Sequence, residues 1–205
     1  MIFPGCLRRD DGPKCASGDC HISQHYKLLL KLFLGCLRAP GILFLEDDLE
    51  IAPDFFSYFE ATVPLMAQDS SIYCVSAWND HGQRGRVKDN TALYRTDVMP
   101  GLGWYLNAKI GLELAPKWPP TNWDDWMRLP AIKAGRSCIY PEVSPSYVRS
   151  TSQRRVHVDL LNVVCFDHTS ARRRSTPHHV GCACLESDTP SCPGSSSAPT
   201  TGGIA

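Results

Sequence analysis

A chain of 205 residues with 21 basic and 21 acidic side chains has no net charge, so no global field directs it to nucleic acid or an anionic membrane. The length suits one domain, or one domain with a tail. Its ten cysteines include no CxxC pair, which argues against a zinc ribbon; they are disulfide partners if the protein is lumenal and mostly buried thiols if it is cytosolic.

Residues 1–20 mix glycine, proline, charge and three cysteines without a sustained period, and read as irregular. Pro4 and Gly5 interrupt the apolar start at once, so no secretory signal is expected. From Ile22 onward, Ile22, Tyr26, Leu29, Leu30, Phe33 and Leu37 fall on one stripe, which predicts an amphipathic helix ending near Gly35 and Pro40. His25 lies near its start, where a lone histidine is more often packed or solvated than a ligand. The leucine-rich run over 28–37 is broken by Lys31 and too short to span a bilayer, so no membrane anchor is expected in the chain as written.

The apolar run Ile42, Leu43, Phe44, Leu45 halts at Glu46, Asp47 and Asp48. This pattern predicts a buried strand delivering carboxylates to its end, where open α/β sheets bind ligands and hard divalent cations find oxygen donors. A solvated turn or a helix N-terminal charge is the competing reading, and spacing alone leaves both open. Pro53 then begins a helix whose apolar face is Phe55, Tyr58, Phe59 and Val63. Residues 71–77 read as a second buried strand ending at Asn79 and Asp80, followed by a solvated, mobile loop over 81–90. Gly101, Leu102 and Gly103 permit a tight turn or a close backbone approach to a ligand; an ordinary turn before a helix over 104–114 is the favoured reading. Pro116, Pro119 and Pro120 make a rigid connection.

The second chemical stretch is Asn122-Trp123-Asp124-Asp125-Trp126-Met127-Arg128. Acids suit the first turn of a helix, yet two tryptophans around two aspartates also make a partly dry pocket suited to sugar stacking and a general base. A third strand is expected over 137–140. Beyond Arg149 come arginine runs and a Ser-, Pro-, Thr- and Gly-rich end, with a short element only over 156–166 and disorder elsewhere. His168, His178, His179, Cys182, Cys184 and Cys192 fit no common metal spacing.

Several of these motifs, in order, resemble one family. They are Leu45-Glu46-Asp47-Asp48-Leu49-Glu50-Ile51-Ala52-Pro53-Asp54-Phe55-Phe56, Cys74-Val75-Ser76-Ala77-Trp78-Asn79-Asp80, Leu93-Tyr94-Arg95-Thr96-Asp97, Pro100-Gly101-Leu102-Gly103-Trp104, Pro116-Lys117-Trp118-Pro119 and Trp123-Asp124-Asp125-Trp126-Met127-Arg128. Over residues 21–147 the chain is similar to the N-acetylglucosaminyltransferase I family, the alpha-1,3-mannosyl-glycoprotein 2-beta-N-acetylglucosaminyltransferases. The resemblance implies an α/β, Rossmann-like nucleotide-sugar glycosyltransferase fold of GT-A type, truncated at both ends. It would comprise an irregular segment over 1–20, a partial catalytic domain over 21–147, and a divergent, largely disordered tail over 148–205.

The same resemblance implies inverting transfer of N-acetylglucosamine from UDP-GlcNAc, with Mn2+, in β1,2 linkage to the α1,3-linked mannose of an N-glycan. Asp48 would ligate the metal, Asp47 meet the ribose and Glu46 contact the transferred sugar. Asp124 matches the catalytic base, with Trp123 before it on the donor side. His25 would lie near the uracil and Leu102 against the donor sugar, while Cys74 and Cys138 match a family disulfide. It also implies a Golgi membrane enzyme with a lumenal catalytic domain and no nucleic-acid partner.

Departures from the pattern stand beside these matches. Residues 1–20 do not supply the family's first nucleotide-binding strand, and Val148-Arg149-Ser150-Thr151 does not match its donor-closing loop. A partial gene model or altered reading frame at both ends is the expectation, with weak donor affinity and little turnover. Protein O-linked-mannose β1,2-N-acetylglucosaminyltransferases share related motifs, although Leu49-Glu50-Ile51-Ala52-Pro53-Asp54 and the undivided Trp-Asp-Asp-Trp favour the N-glycan enzyme. A catalytically silent fragment is the remaining alternative.

Overall fold

Ser17, in extended conformation, accepts the Cys20 N–H on its side chain at 3.3 Å and caps helix α1, Gly18–Leu29, with Asp19 in the first turn where the helix dipole favours an acid. The computed structural model describes residues 15–83 and 85–148 and the backbone of 162–165. Residues 18–20, within the segment expected to be irregular, are helical, which corrects that expectation for them; residues 1–14 lie outside the described residues. A serine cap and a disulfide between Cys15 and Cys20 organise residues that show no periodicity.

The helix ends close to Gly35, as expected, but not as a regular α-helix. A π-helical stretch, Leu30–Cys36, continues it, with the Leu37 N–H donating to Leu32 O at 2.9 Å. The wider winding rotates later residues off the regular stripe. Leu34 is buried in consequence, and Leu37, expected on the apolar face, is 53% exposed. The left-handed residue that ends the segment is Arg38, φ 54°, rather than the glycine.

Strand β1, Gly41–Leu45, is buried along its whole length. Next come β2 (Leu49–Ile51), α2 (Phe55–Thr62), α3 (Leu65–Gln68), β3 (Ile72–Ser76) and β4 (Leu93–Thr96). The chain then forms β5 (Trp104–Asn107), α4 (Ala108–Leu114), a 3-10 turn (Ala115–Lys117), α5 (Trp123–Arg128), α6 (Pro130–Lys133), β6 (Ser137–Pro141), β7 (Ser146–Val148) and β8 (Asn162–Cys165). Residues 104–107 were expected to be helical. Trp104, Tyr105 and Leu106 are instead buried in succession, as a strand covered on both faces requires, and the helix starts only at Ala108, capped by Asn107, whose side chain accepts the Ile110 N–H at 2.9 Å.

The six-stranded sheet has the order β4-β6-β3-β5-β1-β8, and β2 pairs with β7 in a separate two-stranded ribbon. β1, β3 and β6 run one way; β4, β5 and β8 run the other. The architecture is thus mixed α/β, and among the described residues β3 and β6 form the parallel pair. β8 falls within the short element expected over 156–166; the other tail expectations, including the His and Cys cluster, lie outside the described residues.

Alternate residues of β1 feed two apolar layers, which is why the strand reads as continuously apolar. Ile42 and Phe44 join Tyr26, Leu30, Phe33, Trp104, Leu114 and Trp118 under α1, α4 and α5. Leu43 and Leu45 pack with Phe55, Phe59, Val75 and Tyr105 beneath α2. Each such large side chain contributes about 1.5–3 kcal/mol by leaving water. Cys74 and Cys138, fully buried neighbours on β3 and β6, form a disulfide with Cα atoms 4.6 Å apart. No helix of the described residues is long and apolar enough to cross a membrane.

Candidate active site

The carboxyl ends of β1 and β3 and the amino end of β5 meet at one edge of the sheet, because Phe44 and Ser76 both register with Trp104. The Gly101-Leu102-Gly103 turn sits there with φ values of 76°, 50° and 86°. Its carbonyls are each held: Ser76 Oγ donates to Gly101 O at 2.8 Å, Ser146 Oγ to Leu102 O at 2.8 Å, and the Ala77 N–H to Gly103 O at 2.7 Å. The left-handed conformation costs a leucine roughly 1–2 kcal/mol, which those three bonds sustain.

Across the edge, α1 positions the start of α5. Ser23 Oγ donates to Pro119 O at 2.8 Å, and the Gln24 amide donates to Pro119 O and Pro120 O. Anchored this way, the proline connection delivers Asn122 in a left-handed conformation (φ 50°, ψ 48°) that asparagine tolerates, and α5 begins at Trp123. The Trp123 ring lies 4.3 Å from the Tyr26 ring, 5.3 Å from Trp104 and 6.1 Å from Trp118, centroid to centroid. With Trp123 seated, Asp124 and Asp125 occupy the first helical turn, and Arg128 pairs with them at 3.5 and 3.0 Å.

A cleft of about 280 Å³ opens between these walls, lined by Ile22, His25, Tyr26, Glu46, Asp48, Trp123 and Asp124. It brings together His25, Glu46, Asp48, Trp123 and Asp124 out of the residues expected at a site. Asp47 is exposed on the turn after β1 and does not line it; Leu102 stands on its glycine-flanked turn, also outside the lining. Ile22 and Tyr26 line the cleft without having been expected there. Tyr26 was legible only as a member of the buried stripe, next to His25.

Burial lowers the His25 pKa below 6.5, so its imidazole is neutral at neutral pH. Burial, and then the Glu46 charge, raise Tyr26 well above 10, so its hydroxyl stays protonated and donates to Glu46 Oε1 at 3.2 Å. The carboxylates of Glu46, Asp48 and Asp124 are hard oxygen donors, yet among the described residues no three His, Cys, Asp or Glu side chains converge on one point. Such a set suits a divalent ion held by one or two carboxylates while water and ligand phosphates complete its shell, rather than an all-protein cage. The chemistry available is acid–base work by a carboxylate beside an aromatic wall, opposite an acidic strand end.

The model of the GNT-I family matches residues 13–154. The chain is also 49% identical, over 126 residues, to an alpha-1,3-mannosyl-glycoprotein 2-beta-N-acetylglucosaminyltransferase of Arabidopsis thaliana, a match covering 62% of this chain and 28% of that relative. The matched family span covers most of the chain and holds every residue of the cleft from Ile22 to Asp124, and on that ground this protein belongs to the GNT-I family.

Proposed function

We propose that the chain carries the donor cleft and catalytic base of an inverting glycosyltransferase of GT-A type. It would transfer N-acetylglucosamine from UDP-GlcNAc to the 2-hydroxyl of the α1,3-linked mannose of an N-glycan, in the Golgi lumen. The observation that carries this reading is the convergence of Glu46 and Asp48, from the end of β1, with Trp123 and Asp124, from the start of α5, on one cleft. The similarity to a relative that bears that activity in its name supports the choice of reaction.

In this reading Asp124 accepts the proton of the mannose 2-hydroxyl while that oxygen bonds to the anomeric carbon of the donor. The anomeric carbon–oxygen bond to UDP breaks, its electron pair leaves with the diphosphate, and the configuration inverts. Arg128 anchors the base through its 3.5 Å pair with Asp124. Glu46 contacts the transferred sugar, and Trp123 offers an aromatic edge beside it. His25, neutral and half-buried, suits the uracil end, and Asp47, exposed on the turn after β1, would meet the ribose. Asp48 is the residue that would hold Mn2+, which when bound supplies Lewis-acid stabilisation of the departing diphosphate.

Titration calorimetry with UDP-GlcNAc and Mn2+ tests the reading. Heat that disappears in Asp48→Ala and persists in Asp124→Asn, with transfer lost in the latter, is the expected pattern. No heat from the unaltered chain would identify a catalytically silent remnant instead.

A further inference from the structure

Arg128 serves two carboxylates of its own helix, since spacings of four and three residues bring both Asp124 and Asp125 within its reach. It favours one of them. Its Nη1 donates to Asp125 Oδ1 at 3.0 Å and stands 3.5 Å from Asp124 Oδ2, longer than the roughly 2.7–3.2 Å of an N–H···O hydrogen bond. The Nε edge of the fork is turned to Met99 O, 3.4 Å away, shortly before the Gly101-Leu102-Gly103 turn. The Asp125 side chain is 72% exposed and does not line the cleft, so it has no place of its own in the donor reading.

From this arrangement we infer that Asp125 is a positioning residue for the base, holding the Arg128 guanidinium beside Asp124 without letting it cover that carboxylate. The inference rests on the reading of Asp124 as the base given above. A guanidinium free to choose grips a carboxylate through two parallel N–H···O bonds and occupies both oxygens. A base engaged in that way has to give up a charge-assisted bond before it can take the proton of a sugar hydroxyl. With Nη1 committed to Asp125 and Nε turned to Met99, the fork does not close on Asp124, and Arg128 leaves the lone pairs of the base to the acceptor. The three side chains are partly exposed and screened by water, so the effect on rate is severalfold rather than orders of magnitude.

Transfer kinetics and the crystal structure of one variant test this together. Asp125→Ala puts a good helix former at an exposed position and removes the competing carboxylate. Its kcat should fall about fivefold, with the KM values of donor and acceptor within about twofold of the unaltered chain. Asp125→Asn, which keeps an oxygen opposite Nη1, should lose less. In an Arg128→Ala background, Asp125→Ala should have no further effect, because no guanidinium is left to stray. The structure of Asp125→Ala should show the Arg128 fork on both Asp124 oxygens at about 2.7–2.9 Å, a result that needs no turnover. An equal loss in the Arg128→Ala background, a loss confined to KM, an undiminished kcat, or an Arg128 that stays off Asp124 in the variant's structure would each overturn the inference. An unaltered chain without transfer, or an Asp124→Asn chain that transfers normally, would instead overturn the reading of Asp124 as the base.

Discussion

Replacing Cys74 and Cys138 together by alanine should cost about 4 kcal/mol of stability. The two residues are register partners on β3 and β6, fully buried, and separated by 64 positions in sequence. A cross-link over a loop of that length removes roughly 4 kcal/mol of chain entropy from the unfolded state, and the voids left by two buried sulfurs add to the loss. Against the roughly 5–15 kcal/mol typical of folded domains, this is a large fraction of the whole. Urea unfolding followed by tryptophan fluorescence reads it well, because Trp104, Trp118, Trp123 and Trp126 report from a packed cluster. With a slope near 2–3 kcal/mol per molar, the midpoint should fall by about 1–2 M. The effect also reaches the Gly101-Leu102-Gly103 turn, which is held by Ser76 at the end of β3 and by Ala77 just after it. A Cys74→Ala/Cys138→Ala chain with an unchanged midpoint would refute the reasoning, as would reduced protein, shown by mass to lack the bond, that unfolds like the oxidised form.

Three further outcomes follow from local geometry. Leu102→Gly relieves a φ of 50°, so in urea unfolding it should leave stability unchanged or raise it by up to about 1 kcal/mol; a clear loss would refute the strain. Gly111→Ala places a Cβ 2.1 Å from Leu34 Cδ1 where α4 meets the π-helical stretch, and should lose about 1–3 kcal/mol in urea unfolding despite alanine's better helix propensity; a gain would refute the contact. Asp69 should titrate at about 2 by carbon NMR, held down first by the Ser71 hydroxyl, then by the Arg95 guanidinium and the Ser71 N–H. Its pKa is lowered from 3.8 on folding, so its contribution is complete above pH 3.8 and disappears as pH falls towards 2, and Ser71→Ala should move the titration up; an unmoved value would discount the hydroxyl.

The elements that could be read from sequence are those whose pattern is local. β1 announces itself because both faces are covered, so no polar residue interrupts the run until Glu46. The stretch at 104–107 misled for the same physical reason: Trp104 to Leu106 are apolar in succession and continue into a true helix, and periodicity alone does not separate a short buried strand from a helical turn. The π-helical winding over Leu30–Cys36 was hidden because a wider turn breaks the 3.6-residue period that reveals a helix. β2 and β7 are three residues each and exist by pairing with one another in a separate ribbon, a partnership no local window contains.

The site divides along the same line. Glu46, Asp48, Trp123 and Asp124 sit in two short motifs, and each motif by itself allowed a structural reading: a solvated turn in one case, a dipole-favoured helix start in the other. The proposed function rests on their convergence, which depends on long-range contacts, the Ser23 and Gln24 bonds to the proline connection and the Tyr26 ring against Trp123. Adjacent acids also need not share a fate. Asp48 lines the cleft while Asp47, one residue before it and exposed like it, does not. A run of three acids is therefore one signal in the sequence and at least two environments in the fold. Tyr26 belongs to the environment that residue type alone could not disclose: it reads as core by its burial, yet its ring meets Trp123 and its hydroxyl meets Glu46.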